Sequence, residues 1–514
     1  MPDYSANNKR LVKNTLLLYI RMLFTMTISL YTSRIVLNAL GVEDYGIYNL
    51  VGGVVALFSA ASTTLNVAIN RFITYELGKG DQEKLRRVFS TSLNIQIIVI
   101  FILFIIAETL GVWYLNNKMV IPEERIVAAN WCLQFSVISF SVSLINVPYN
   151  SSIIAHEKMS AFACISILEA IGKLLIAWGI MITPYDRLIT YSCLMTGFIV
   201  IIWSVYAGYC KRQFEECSYH FFLDIGLAKQ MFGFVGWAFI GVSSWALQKY
   251  GFVILINLFF GPLVNAAYAI ATQVETAVTG FANNFMMALN PQITKAYAAN
   301  NKEYMYTLVF QGARFSSYIM LFLAMPVILN THYILELWLK QVPEHTVLFV
   351  QLILLLSMLS CLSGTLNTTQ IATGEIKYYQ LVVSPINLVN VPVAYLFYYW
   401  GYMPETILVV CFIINHVALI ASLLMLHRMV GINIWQYIRE VYINVVIVSF
   451  LAFIVPLLLS SNLDRTFPSF VISTIISFCS TSLVVLYIGC KSYEREFLYT
   501  KLNTIKVKYF KIFK

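Results

Sequence analysis

Apolar runs of about 20 residues recur from one end of this 514-residue chain to the other, and a run of that length crosses a hydrocarbon core of about 30 Å. No water is available there to satisfy backbone N–H and C=O groups. Only helices and closed barrels can therefore span it. Barrel strands would appear as alternating segments of about 10 residues. The runs here are long and continuous, so they read as helices. Composition agrees: 59% of residues are hydrophobic and only 11% charged, against about 25% charged in a soluble domain. The mean hydropathy is +0.74. The expected fold class is an all-α polytopic membrane protein with about 14 transmembrane helices, at 14–38, 45–72, 88–114, 126–154, 160–182, 187–210, 229–259, 262–290, 304–330, 346–372, 378–400, 404–427, 437–460 and 467–489. Spans 45–72 and 262–290 are rich in Ser, Thr and Asn. The first apolar run, Asn14 to Asn38, is too long for the h-region of a cleaved signal.

The basic residues set the orientation. With the N-terminus in the cytoplasm, 23 of the 34 Lys and Arg fall in inside segments, five in outside loops and six within spans. Cytoplasmic loops carry such an excess, so both termini are expected inside. The segment from Lys491 to Lys514 is basic with interleaved aromatics and aliphatics, and is expected to lie on the anionic inner leaflet. A membrane surface accounts for the net charge of +9, without nucleic acid. Every outside loop is short and no Walker A motif is present, which argues against transport driven directly by ATP on this chain. Nine cysteines are scattered with no CxxC pair, and six histidines are equally dispersed. They read as packing residues, not as a metal site or disulfide framework. No catalytic grouping appears and no cofactor is expected.

The chain echoes itself at an offset of about 220 residues. LNVAINRFITYELGKGDQE, from Leu65 to Glu83, meets FMMALNPQITKAYAANNKE, from Phe285 to Glu303. Gly41 and Tyr48 meet Gly261 and Tyr268, IPEE at 121–124 meets VPEH at 342–345, and YNSSIIA at 149–155 meets LNTTQIA at 366–372. Each match is weak, but their order and near-constant offset indicate duplication. Each copy holds an even number of spans, so the two point the same way and are related by an axis along the membrane normal. The expected organisation is an N-lobe at 1–228, a C-lobe at 229–428, and two further helices with a basic tail at 429–514.

Six cations sit inside spans: Arg21, Arg34, Arg71, Lys173, Lys249 and Arg314. A charge at bilayer depth is costly, faces a cavity or a partner, and marks function by default. Arg21, Lys249 and Arg314 are the candidates for a cavity that contacts an anion. The alternatives are a buried pair for Arg21, snorkelling for Lys249 and pairing between lobes for Arg314. Arg34 lies near the outer interface, where a long side chain can also snorkel. Arg71 lies at the inner end of its span. Glu169 and Lys173, four apart on one helix face, read as a structural ion pair. Glu275 is mid-span and either balances a cavity cation or takes up a proton linked to an ion gradient.

The stretch RIVLNALGVEDYGIYNL, Arg34 to Leu50, resembles the first outer loop of the polysaccharide-transporter branch of the MOP flippases. LNTTQIATGEIKY, Leu366 to Tyr378, resembles the junction between spans 10 and 11 of that family. The layout of two six-helix lobes is similar too, over about residues 9–428. The resemblance implies a Wzx-type flippase of the bacterial inner membrane, which moves undecaprenyl-pyrophosphate-linked oligosaccharide between leaflets by alternating access. Implied partners are the lipid-linked anionic oligosaccharide and membrane lipids, with a polysaccharide polymerase and a chain-length regulator. Only Arg34 is carried over by motif. Fourteen spans also resemble the lipid II flippases. The competing readings are a multidrug cation antiporter on the same fold, which calls for mid-membrane carboxylates, a polymerase, which calls for a large outer loop, and a channel or scaffold.

Overall fold

The computed structural model describes residues 5–56, 58–119, 121–219, 224–339, 341–460, 466–492 and 494–496. Among them the secondary structure is helical, with no strand. Twelve helical stretches among the described residues are long and apolar enough to cross a membrane. One of these, Ile225–Ala298, runs 74 residues and is broken at Gly261, so it supplies two spans. Between Gly41 and Lys79 lie the helix up to Ala56 and the more polar helix Ser59–Lys79. With this stretch the total reaches the expected fourteen. The run expected over 45–72 contains Leu57, outside the described residues, so the breaks established here are those at Gly41 and Gly261. Such breaks are tolerated at membrane depth only where neighbouring protein or water satisfies the freed backbone groups.

The two glycine breaks are the same structure made twice. Gly41 has φ 81° and ψ 169°, and Gly261 has φ 79° and ψ −175°. Only glycine occupies that region without severe strain, because a Cβ would clash with the backbone. Two more left-handed positions repeat: Gly80 at φ 75° with Asn300 at 55°, and Glu157 at 57° with Gly374 at 79°. Their offsets, 220 and 217, are those of the sequence echo. Short acidic or amide side chains start several helices by accepting a bond from the first turn. Asp81 accepts from Lys84, Asp186 from Ile189, Asp224 from Leu227 and Asn433 from Gln436. These satisfy N–H groups that no helical carbonyl can reach.

The chain forms two compact units. Unit 1 comprises Met1–Ser243 with Met287–Met305 and Ile371–Gln380. Its apolar core brings Leu18, Ile69, Phe89, Ile153 and Tyr206 together with Met231, Ala288 and Ile376. The helices Met159–Gly179 and Arg187–Gln213 approach so closely that a Cβ on Gly172 would stand 1.9 Å from the Phe198 ring. Small residues allow this kind of contact where hydrocarbon supplies no hydrophobic drive between helices. Unit 2 comprises Ser244–Met286, Tyr306–Gln370 and Leu381–Lys514. Tyr437, fully buried, packs edge-on against Phe310 and donates to the Leu362 carbonyl at 2.6 Å. Phe322 and Phe478 stack at 4.4 Å, joining the last helix to the interior.

Candidate functional site

In unit 1 Arg21 and Arg71 rest on aromatic rings. The Arg21 guanidinium carbon lies 4.7 Å from the centre of Phe162, and its charge also reaches Tyr206. Arg71 lies over both Phe72 and Tyr75, at 4.6 and 4.4 Å, and donates to the Ala372 carbonyl at 3.2 Å. An aromatic face attracts a cation through the ring quadrupole but carries no net charge. Arg71 also lies within electrostatic reach of Glu76. Lys173 differs, lying 2.6 Å from Glu169 one turn away on the same half-exposed face. Arg34 is exposed.

In unit 2 a second set forms near the middle of the broken 74-residue helix. Lys249 lies 5.2 Å over the Trp245 ring and is exposed. Glu275 accepts from the Ser357 hydroxyl at 3.0 Å and lies within electrostatic reach of Lys249. Tyr268, two turns before Glu275, packs edge-on against Phe349.

Arg314 does not behave as a cavity-lining residue. It is 2% exposed, binds Glu494 at 2.5 Å and donates to the Gly489 carbonyl at 3.2 Å. Gln311 and the Lys491 backbone N–H complete the shell around Glu494. The Arg314 charge is cancelled where it sits. Glu494, near the start of the basic segment, is thereby held in unit 2; residues 497–514, which make up most of the stretch expected on the leaflet, fall outside those described. Nothing within the spans of Arg314 points to Glu494, which is 180 residues away.

Two groups escaped the sequence reading. Glu157, in the connection 156–158, is buried with φ 57°. Its carboxylate takes Lys295 at 2.8 Å, Gln292 at 3.2 Å and, more distantly, Arg10 at 3.8 Å. Its backbone carbonyl accepts from Asn14. Arg71 packs so tightly on the connection at Gly374 that a Cβ there would stand 2.4 Å from its Nη2. The available signal was the alignment of Glu157 with Gly374 across the repeat. At the opposite end of unit 1, Arg125 bridges Asp44 and Asp186. In unit 2 the corresponding His345 meets Glu405 at 2.6 Å, at offsets of 220 and 219. Among the described residues no cluster of His, Cys, Asp or Glu could hold a metal.

The sequence profile of the polysaccharide biosynthesis protein family matches residues 11–297, more than half of the chain. The chain belongs to that family. The MatE family profile matches residues 241–396, which places the protein among the polysaccharide transporters of the MOP superfamily. A curated relative, the uncharacterized membrane protein EpsK of Bacillus subtilis (strain 168), is 18% identical over 311 residues, covering 60% of each chain. The family protein thus spans about 60% of that relative's length. Several solved structures share the fold. MATE in the straight conformation superposes with TM-score 0.71 at 15% identity, covering 82% of this chain and 96% of that one. MATE in the bent conformation gives 0.72 at 14%, covering 82% and 95%. Vibrio cholerae MATE transporter VcmN in the bent form gives 0.66 at 18%, covering 84% and 98%. The chain is a multi-pass membrane protein of this superfamily with the MATE fold.

Proposed function

We propose that this transporter is a Wzx-type flippase that carries undecaprenyl-pyrophosphate-linked oligosaccharide across the bacterial inner membrane, with both termini in the cytoplasm. The observation that carries this reading is the way Arg21, Arg71 and Lys249 are held. Each rests on an aromatic face, which attracts a cation without itself carrying a net charge, with Glu76 in electrostatic reach of Arg71 and Glu275 of Lys249. A pyrophosphate and a sugar cannot enter hydrocarbon alone, because their polar groups would go unsatisfied. Guanidinium and ammonium groups supply charge-assisted bonds to phosphate, Arg in bidentate fashion. The polyprenyl tail stays in lipid. Membrane lipids, the lipid-linked oligosaccharide, a polymerase and a chain-length regulator are the partners of this reading. Arg34 is retained on motif resemblance. Arg314 is dropped from the binding set, since Glu494 already neutralises it.

The decisive assay measures accumulation of lipid-linked oligosaccharide in cells that depend on this chain. Arg21→Ala and Lys249→Ala are each expected to cut export about tenfold, the loss of about 1.4 kcal/mol of cargo contact. Full export by both variants defeats the cationic-cavity reading. A second reading, an antiporter of organic cations, is favoured by one observation: Glu275 is a carboxylate at mid-span that accepts from the Ser357 hydroxyl. Resistance to cationic dyes, lost in Glu275→Gln, would support it. A lipid II cargo would show instead as loss of cell-wall precursor transport in the same variants.

A further inference from the structure

We propose that one end of unit 1 is a gate, a reciprocal clasp between the two sequence repeats latched by Glu157; this rests on the transporter reading above. The second repeat contributes residues 287–305 and 371–380 to this unit. Ala288 and Ile376, 0% and 2% exposed, sit in an apolar cluster built mainly from the first repeat. The two repeats therefore close on each other here.

The contact has the symmetry of the duplication. A Cβ on Gly78 would stand 2.8 Å from Lys295 Cα and 2.9 Å from Ala298 Cβ. Gly78 and Ala298 occupy the same repeat position, at offset 220. Equivalent residues touch each other only where a two-fold axis passes between them. Tyr75 and Tyr297 flank the point, with ring centres 6.3 Å apart. On either side the same elements hold each other. The helix end of the first repeat, through Arg71, grips the connection at Ala372 and Gly374 of the second. The helix end of the second, through Gln292 and Lys295, grips the connection at Glu157 of the first.

The chemistry suits a seam that parts. A buried ion pair is worth little more than apolar packing, since desolvation offsets the Coulomb gain. Once the repeats separate, water solvates Glu157, Lys295 and Arg71. Glu157 is the carboxylate that collects Lys295, Gln292 and Arg10, while Glu76 and Glu375 lie in electrostatic reach of Arg71 and Tyr297.

The test uses the full chain with its nine native cysteines replaced. A reporter, Ala288→Cys, is labelled with a water-soluble maleimide. Glu157→Gln is expected to raise the labelling rate about tenfold. Lys295→Gln, which leaves Gln292 in place, serves as the second variant should the first fail to fold. In a separate protein, Glu157→Cys with Gln292→Cys is bridged by a short bis-methanethiosulfonate reagent. Bridging is expected to stop transport and reduction to restore it, which a purely structural contact would not do. Unchanged labelling in both variants, or transport by the bridged protein at the unbridged rate, overturns the gate. If the unbridged protein moves no oligosaccharide, the flippase reading falls while the labelling result still decides the clasp.

Discussion

At the scale of single residues, the fate of each intramembrane charge depends on its neighbour. Arg314 and Glu494 are both buried and bonded to each other. Removing one partner of such a pair strands the other charge, at a cost of about 3–5 kcal/mol. Glu494→Ala is therefore expected to lower the thermal midpoint in detergent sharply, and the Arg314→Met/Glu494→Leu double variant to recover most of it. Near-equal midpoints for wild type and both single variants would refute the pair's role. Asp186, at the opposite end from the clasp, titrates below the usual carboxylate range. Burial pushes it up, but the Ile189 N–H and the Arg125 guanidinium outweigh that. A carboxylate depressed on folding adds stability above its unfolded pKa of about 3.9, and loses it as pH falls through the lower folded value. The midpoint should fall with acid below about pH 4, and that fall should be smaller in Arg125→Ala. An unchanged pH profile in Arg125→Ala would remove the bridge from this account.

At the scale of elements, two glycines decide where long helices stop being straight. Gly41 and Gly261 hold φ near +80° with extended ψ, a region that costs other residues about 1–3 kcal/mol. Gly41→Ala and Gly261→Ala should each destabilise by that amount, seen in detergent unfolding, whereas Gly46→Ala, with no positive φ and open space at its Cβ, should not. Equal behaviour of all three would mean the breaks carry no strain. The sequence marked these two glycines as equivalent through their offset, yet could not say that they break a helix. Glycine within a hydrophobic stretch is common in membrane helices, and only the backbone angles distinguish a break from a packing contact such as Gly172. The polar second span illustrates the same limit. Its Ser, Thr and Asn content was plain, but where those polar groups find partners depends on what packs around them.

At the scale of the whole molecule, orientation remains a matter of charge asymmetry. A cysteine at Tyr185, which is 77% exposed, should react with an impermeant thiol reagent in intact cells. One at Ser218, also exposed, should react only in inverted vesicles. The reverse pattern would invert the topology. The number of spans, the duplication and the family were readable from the sequence, because each is written locally: apolar length, a recurring offset, and short motifs around Arg34 and Leu366. The pairing of Arg314 with Glu494, the latch at Glu157 and the seat of Arg71 against Gly374 were not. A charge in a linear sequence has no partner until helices far apart in the chain are brought together, and burial sets the cost of lacking one only after they are. Hydrocarbon thickness and backbone satisfaction dictated helices from composition alone. Tertiary packing alone decided which of the charges inside them meet a carboxylate directly and which rest on an aromatic ring.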